Sequence, residues 1–376
     1  MRTDERQGYR IVLTGGPCAG KTTCLARLSE RLECLGLRVF RVPEAATILM
    51  SGGASPACLP ADQFLRFEAD LIRLQMAIEE TFTDLAASSA RRSIVICDRG
   101  TMDAAAYMSP VMWQALLDQQ GWSESALRDR RYDAVIHLVT AARGAEEFYT
   151  TENNPARTET LEKARELDEK VRNAWVGHPH LRAIDNSTDF NEKIRRVLTA
   201  ICRIVEVPAP KEIERKFLLR CCPTAVEMPV YSKEFLIEQT YLLTSDGSEA
   251  RVRRRSREGS STYTHTVKRP CVAGQRIETE HQISSSEYIT LLEKADPNRR
   301  TVRKHRRCFL WENQYFELDS FLEPNPGLTL LELELESPDQ DVILPSFLDI
   351  EREVTEDRTY SNYSIAACGQ TSAPSG

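Results

Sequence analysis

Ile11-Val12-Leu13-Thr14-Gly15-Gly16-Pro17-Cys18-Ala19-Gly20-Lys21-Thr22-Thr23 decides the fold of the first half of the chain. An apolar β-forming run feeds a glycine-rich turn that fits G-x-x-x-x-G-K-[ST], and a helix-period segment follows over 21–35. Such a turn lets successive backbone N–H groups point inward at an anion, and the helix N-terminus adds partial positive charge at the same place. Gly15 to Thr23 therefore read as a phosphate cradle. Lys21 would reach the terminal phosphates, and the Thr22 hydroxyl would bind Mg²⁺.

Working outward, short β-branched runs at 9–14, 37–42, 93–97, 134–139 and 181–184 alternate with helix-period stretches at 61–88, 157–175 and 189–205. That alternation predicts a doubly wound parallel α/β sheet. Ile94-Val95-Ile96-Cys97-Asp98-Arg99-Gly100 ends a buried strand in an acid and a base. Asp98 reads as a metal-side carboxylate or as the cap of the next helix, and Arg99 as a phosphate clamp. Glu44, just past the second strand, reads as a base toward a hydroxyl, as a metal ligand or as a helix cap. The polar stretch 141–156 is a lid or an ordinary surface loop.

Over 376 residues the charge is nearly balanced, 49 Lys+Arg against 56 Asp+Glu, which argues against a dedicated nucleic-acid binder. No apolar run is long enough to cross a bilayer. The charged opening MRTDERQGYR and eleven cysteines without a C-x-x-C spacing point to a reduced, cytoplasmic protein with no secretory leader.

Pro208 and Pro210 mark a change of grammar, so the expected division is 1–206, a linker at 207–211, a second domain at 212–370 and a disordered tail at 371–376. Eight strands are expected at 211–219, 234–243, 249–256, 260–269, 275–283, 300–311, 313–321 and 328–336, with one helix at 284–294. Short turns between them predict an antiparallel α+β barrel. Charge sorts by strand: 251–308 holds 15 basic and 6 acidic residues, 309–357 holds 1 and 14. Glu212, Glu214 and Lys216 share one strand face, as do Arg251 and Arg253, and as do Glu332, Glu334 and Glu336 opposite three leucines. One such strand alone would put its charges in water. Many together read as a charged lumen. At 303–307 either Lys304 and Arg306 face inward, or Arg303, His305 and Arg307 do.

The loop, Pro43-Glu44-Ala45-Ala46-Thr47, Asp98-Arg99-Gly100 with Asp103, and Trp175-Val176-Gly177-His178-Pro179 before Asp185-Asn186 resemble P-loop kinase-like ATPase domains related to the kinase half of NadR-type proteins, over about 10–205. This resemblance implies ATP or GTP with Mg²⁺, a lid arginine at Arg143 or Arg157, and Asn186 near the base. Glu212-Ile213-Glu214-Arg215-Lys216, the basic strands and Glu353-Val354-Thr355 with Asp357, Tyr360 and Asn362 resemble the CYTH domain of the triphosphate tunnel metalloenzymes, over about 210–368. That kinship implies Mg²⁺ or Mn²⁺ on Glu212, Glu214 and one or more of Glu332, Glu334 and Glu336. It also implies a triphosphate held by Lys216, Arg251, Arg253, Lys268, Arg276, Lys304 and Arg306. The pairing is similar to the TRPL translocation defect protein family. Three functions are open from this reading. The first is hydrolysis of a triphosphate. The second is a nucleotide-switched module that captures a polyphosphorylated ligand, such as a phosphoinositide at a membrane surface. The third is a small-molecule kinase.

Overall fold

The computed structural model describes residues 8–56, 59–149, 160–205, 214–224, 227–244, 247–270, 276–335 and 340–368, without the side chains of 269, 270 and 276–278. The chain divides into two compact units, Met1–Pro208 and Ala209–Gly376. The expected linker at 207–211 and tail at 371–376 lie outside the described residues.

In the first unit β1 (Gly8–Gly15), β2 (Arg38–Val42), β3 (Ser93–Asp98), β4 (Ala134–Leu138) and β5 (Leu181–Ile184) form one parallel sheet in the order β2-β3-β1-β4-β5. Helices α1 (Lys21–Cys34), α2 (Ala45–Ser51), α3 (Ala61–Ala87), α4 (Pro110–Gln120), α5 (Leu161–Ala174) and α6 (Phe190–Ile204) connect the strands. Strand order reverses beside β1, and in open parallel sheets ligands bind at the strand ends where this happens. Ile11 and Leu13 on β1 join Ile94, Ile96, Ile136, Leu138, Leu28 and Ile201 in one buried core. Asp189 caps α6 by accepting from the Asn191 and Glu192 N–H groups at 2.8 and 3.1 Å. The short α2, a 3₁₀ turn at Thr101–Tyr107 and α4 were not expected from periodicity. Residues 150–159, the outer part of the expected lid and the start of the expected helix at 157, lie outside the described residues.

The second unit is antiparallel. Its strands are β6 (Glu214–Leu219), β7 (Ser232–Leu242), β8 (Glu249–Arg257), β9 (Ser260–Pro270), β10 (Arg276–Ile283), β11 (Val302–Trp311), β12 (Gln314–Glu323), β13 (Thr329–Glu334) and β14 (Ile350–Glu353). They run in the order β10-β9-β8-β7-β11-β12-β13-β6-β14. All eight expected strands are present among the described residues. The ninth, β14, was missed because Ile-Glu-Arg-Glu shows no apolar alternation. It is held instead by Arg215 Nε and Nη2 on the two Glu353 carboxylate oxygens at 2.8 and 2.6 Å. Helix α7 (Ser285–Leu292) starts with a Ser284–Glu287 capping box. Strands β8 and β9 meet in a two-residue turn, Glu258-Gly259, with φ of 49° and 77°. Positive φ at both positions is what the tightest hairpins require.

The sheet curls rather than lying flat. Burial and Glu332 raise the Glu214 carboxyl on β6, and Lys268 on β9 stands near enough to act on it in the opposite sense, although six pairings separate those strands in the order. Flat, that separation would be about 29 Å, beyond useful Coulomb range in salt. Phe217, Leu331, Leu333, Phe316, Leu318 and Phe309 pack on the outward face as one apolar cluster.

Candidate functional sites

At the C-terminal end of β1 the phosphate loop is shaped by backbone that only small residues permit. Gly15 has φ 147°, and a Cβ there would meet the Leu138 carbonyl oxygen at 2.2 Å. At Gly20, with φ 82°, a Cβ would meet the Phe190 ring at 2.7 Å. Cys18 takes a left-handed φ of 54°, uncommon for a residue with a side chain. Lys21 Nζ folds back onto the Gly15 and Gly16 carbonyls at 2.9 and 3.0 Å. Burial, with Arg99 adding, lowers its pKa to about 8. Thr22 and Thr23 stand exposed on the first turn of α1.

Arg99, also left-handed at φ 68°, holds the far wall together. Its Nε donates to Glu44 at 2.5 Å and its Nη1 to Asp103 at 3.2 Å. Asp103 in turn accepts from the Thr14 hydroxyl and the Trp175 indole, both at 2.6 Å. Burial pushes the Glu44 carboxyl up, but Arg99 and the Thr47 hydroxyl outweigh it and hold the group low. Asp98 is raised, first by burial and then by the Glu44 and Asp103 carboxylates, against the pull of Lys21 and Arg99. Asp98 and Thr22 offer the hard oxygens that Mg²⁺ prefers.

Two placements add to the sequence reading. Asn186 donates to the Thr140 and Arg143 carbonyls, each at 2.8 Å, and accepts from Lys193, so its amide ties the 139–143 segment to α6. Asp168, on the buried face of α5, was overlooked. One of its oxygens accepts from Gly16 N–H at 2.9 Å and Thr140 N–H at 3.1 Å, and stands 3.2 Å from His137 Nε2. Its signal was an aspartate in the apolar phase Ala164-Asp168-Val171. Arg143 lies 4.0 Å from Glu169, and Arg157 lies outside the described residues.

In the second unit the cross-strand register carries charges onto one face of the sheet. Lys216 stands opposite Glu332, Glu332 opposite Glu317, and Glu214 opposite Glu334. Arg306 stands opposite Asp319, Arg253 opposite Gln239 and Thr264, and Arg251 opposite Thr266. The open question at 303–307 is resolved. Lys304 and Arg306 are buried, whereas Arg303, His305 and Arg307 pair with Glu238, Glu234 and Glu323 on the outer face. Lys304 Nζ bonds Asp319 at 2.5 Å and the Asn362 side chain at 3.0 Å. Arg306 bonds both oxygens of Asp319, at 2.7 and 2.5 Å, Glu332 at 2.9 Å, and Glu317. Lys216 Nζ bridges Glu214 at 2.8 Å and Glu332 at 2.6 Å.

Glu214 is raised by burial and by the neighbouring Glu332 carboxylate, whereas Glu332 is held far down against burial by Lys216, Lys304 and Arg306. Two carboxylates that share one ammonium and repel each other fit a site where a divalent cation would sit between hard oxygens. Among the described residues no three acidic, His or Cys side chains already converge as a cage. Glu212 and Glu336 lie outside those residues, as does the Arg276 side chain. Arg253 is 3.8 Å from Glu280, and burial with Arg251 beside it lowers its pKa.

The family model of the AAA domain matches residues 10–193 and that of the CYTH domain matches residues 210–360. An inorganic triphosphatase of Acetivibrio thermocellus is 31% identical over 155 residues, 41% of this chain and 92% of the relative. The solved inorganic triphosphatase NE1496 is 32% identical, over 42% of this chain and 95% of that one, with a TM-score of 0.30. The PH1819 protein of Pyrococcus horikoshii OT3 is 18% identical, over 34% and 80%, with a TM-score of 0.27.

Proposed function

Because the chain belongs to the CYTH family and carries an AAA-type P-loop domain ahead of it, we propose that its second unit hydrolyses a triphosphate-containing substrate with a divalent metal. The observation that carries this reading is the shared face of Glu214, Lys216 and Glu332 with Arg251, Arg253 and Lys268, a division of labour between acids and phosphate-binding cations. Arg251, Arg253 and Lys268 bind and orient the phosphates. Lys304 and Arg306 keep the acids in place and charged. Mg²⁺ or Mn²⁺ on Glu214 and Glu332, with Glu212, Glu334 and Glu336 as further donors, would neutralise phosphate charge and acidify a bound water. Water would add to the terminal phosphorus as the bond to the diphosphate leaving group breaks, and the water's proton would pass to solvent.

The first unit binds ATP or GTP with Mg²⁺ on Gly15–Thr23, with Lys21 and Arg99 on the phosphates. Among the described residues no helix is long and apolar enough to cross a membrane. The test is phosphate release from tripolyphosphate, ATP and GTP with each metal. Glu214→Ala should abolish release from tripolyphosphate, and Lys21→Ala should leave it intact while removing nucleotide binding. Saturable binding of tripolyphosphate or a phosphoinositide headgroup without any turnover would overturn the hydrolase reading in favour of capture.

A further inference from the structure

Three donors on the charged face of the second unit are buried with no hydrogen-bond partner among the described residues: the Tyr315 hydroxyl, the Thr264 hydroxyl and Arg253 Nε. Native interiors rarely leave polar atoms so, because each has lost its water for nothing. Tyr315 is 8% exposed and precedes Glu317 and Asp319 on β12 at alternate positions, so the strand period of two puts its side chain on their face. Thr264 stands opposite Arg253 in the β8–β9 ladder and shares the face of that arginine.

The neighbours of Tyr315 do not satisfy its hydroxyl. The Cys308 thiol lies beside it, but a thiol is a weak hydrogen-bonding partner. The Glu317 carboxylate is engaged by Arg306. Burial, with Cys308 and Glu317 adding, pushes the phenol well above its ordinary pKa, so the hydroxyl keeps its proton and can donate. Glu317 acts electrostatically on both Arg253 and Tyr315, which places the phenol beside the cationic row of β8. Arg255 continues that row after Arg251 and Arg253 and was not among the cations expected to grip phosphate. Its guanidinium carbon lies 3.5 Å from the centre of the Phe235 ring, with Nη2 4.0 Å from Cys308 Sγ. Stacking on the ring fixes where this charge sits, within electrostatic reach of the phenol.

From these positions we infer that Tyr315 and Thr264 bind the substrate directly, their hydroxyls donating with Arg253 Nε to phosphate oxygens of the triphosphate. Three donors without an acceptor call for a ligand dense in acceptors, and cations beside them call for negative charge. An oxyanion chain supplies both. A hydroxyl adds a hydrogen bond without adding charge, so it holds a phosphate oxygen without disturbing the balance of acids around Arg306. The inference rests on the reading of this face as a phosphate site and extends it to two uncharged residues.

The full-length protein is titrated with tripolyphosphate in a calorimeter, and phosphate release is followed with Mg²⁺ and with Mn²⁺, for the parent, Tyr315→Phe and Thr264→Val. Each variant removes one hydroxyl and keeps the shape of the side chain. Each should bind tripolyphosphate about tenfold more weakly than the parent, the loss typical of a hydrogen bond to a charged group. Without ligand, Tyr315→Phe should melt no lower than the parent, since the hydroxyl it loses has no protein partner. Parent-like affinity in either variant would mean that buried water satisfies that hydroxyl, and overturns the inference. So does a lower melting temperature for the empty, folded Tyr315→Phe, which would mean that the hydroxyl serves the fold. Binding with the expected losses but no turnover in the parent would sink the hydrolase reading and uphold the inference. A parent that binds no tripolyphosphate sinks both.

Discussion

The phosphate loop and the charged face of the antiparallel sheet both address phosphate, by opposite means. The loop is contiguous and works mainly through backbone N–H groups, so its shape is fixed by glycines and by one external carboxylate, Asp168. The sheet gathers side chains from seven strands and balances them against one another, as Arg306 does among Asp319, Glu317 and Glu332. A backbone site tolerates side-chain change except at its shaping residues. A side-chain site fails when any member of the charge balance is lost.

That contrast can be broken by experiment. The largest effect is expected from Glu214→Ala, about 10³-fold less tripolyphosphate hydrolysis with the fold retained, measured by phosphate release against circular dichroism. Equal loss in Lys21→Ala would erase the distinction between the two sites. Next, Arg306→Met leaves the buried Asp319 and Glu332 and the half-buried Glu317 without their common cation and should destabilise the second unit by about 3–5 kcal/mol in urea unfolding. Asp168→Ala leaves Gly16 and Thr140 N–H groups without that acceptor and should cost about 1–3 kcal/mol, with weaker nucleotide binding in calorimetry. The smallest effect is a pH signature. Because the folded protein lowers the Lys21 pKa to about 8 from its ordinary 10.5, the unfolded chain holds a proton that the empty native state lacks between those values. Stability of the empty protein therefore rises with pH across that window. Nucleotide affinity falls over the same window, since bound phosphate needs the ammonium. Parallel pH dependences of the two quantities would exclude Lys21 as the group responsible.

Much of this was legible in the residues themselves. The loop was readable because its chemistry is local: thirteen consecutive residues contain the turn, the cation and the hydroxyl. The charged strands were readable because alternation has a period of two, and that survives whatever the partner strand is. What could not be read were choices made by distant partners. Asp168 and Gly16 are 152 positions apart, so nothing near either one announces the bond. Lys304 and Arg306 were indistinguishable from Arg303, His305 and Arg307 until Asp319 and Glu332 stood across from them. Strand β14 was hidden because an ion pair to Arg215, rather than apolar burial, holds it in place.

The tight turn at Glu258-Gly259 has a consequence for how this sheet can vary. It places Arg257 against Ser260 and, counting back along the ladder, Arg253 against Thr264 and Arg251 against Thr266. β8 is held in register by β7 on its other side, so whether Lys268 of β9 shares the face of those arginines is a matter of parity. Inserting one uncharged residue into the hairpin would leave net charge unaltered yet slip β9 by one position and turn Lys268 outward, whereas inserting two would restore it. Length changes here should therefore be tolerated in pairs, and a single-residue insertion should act like the removal of Lys268.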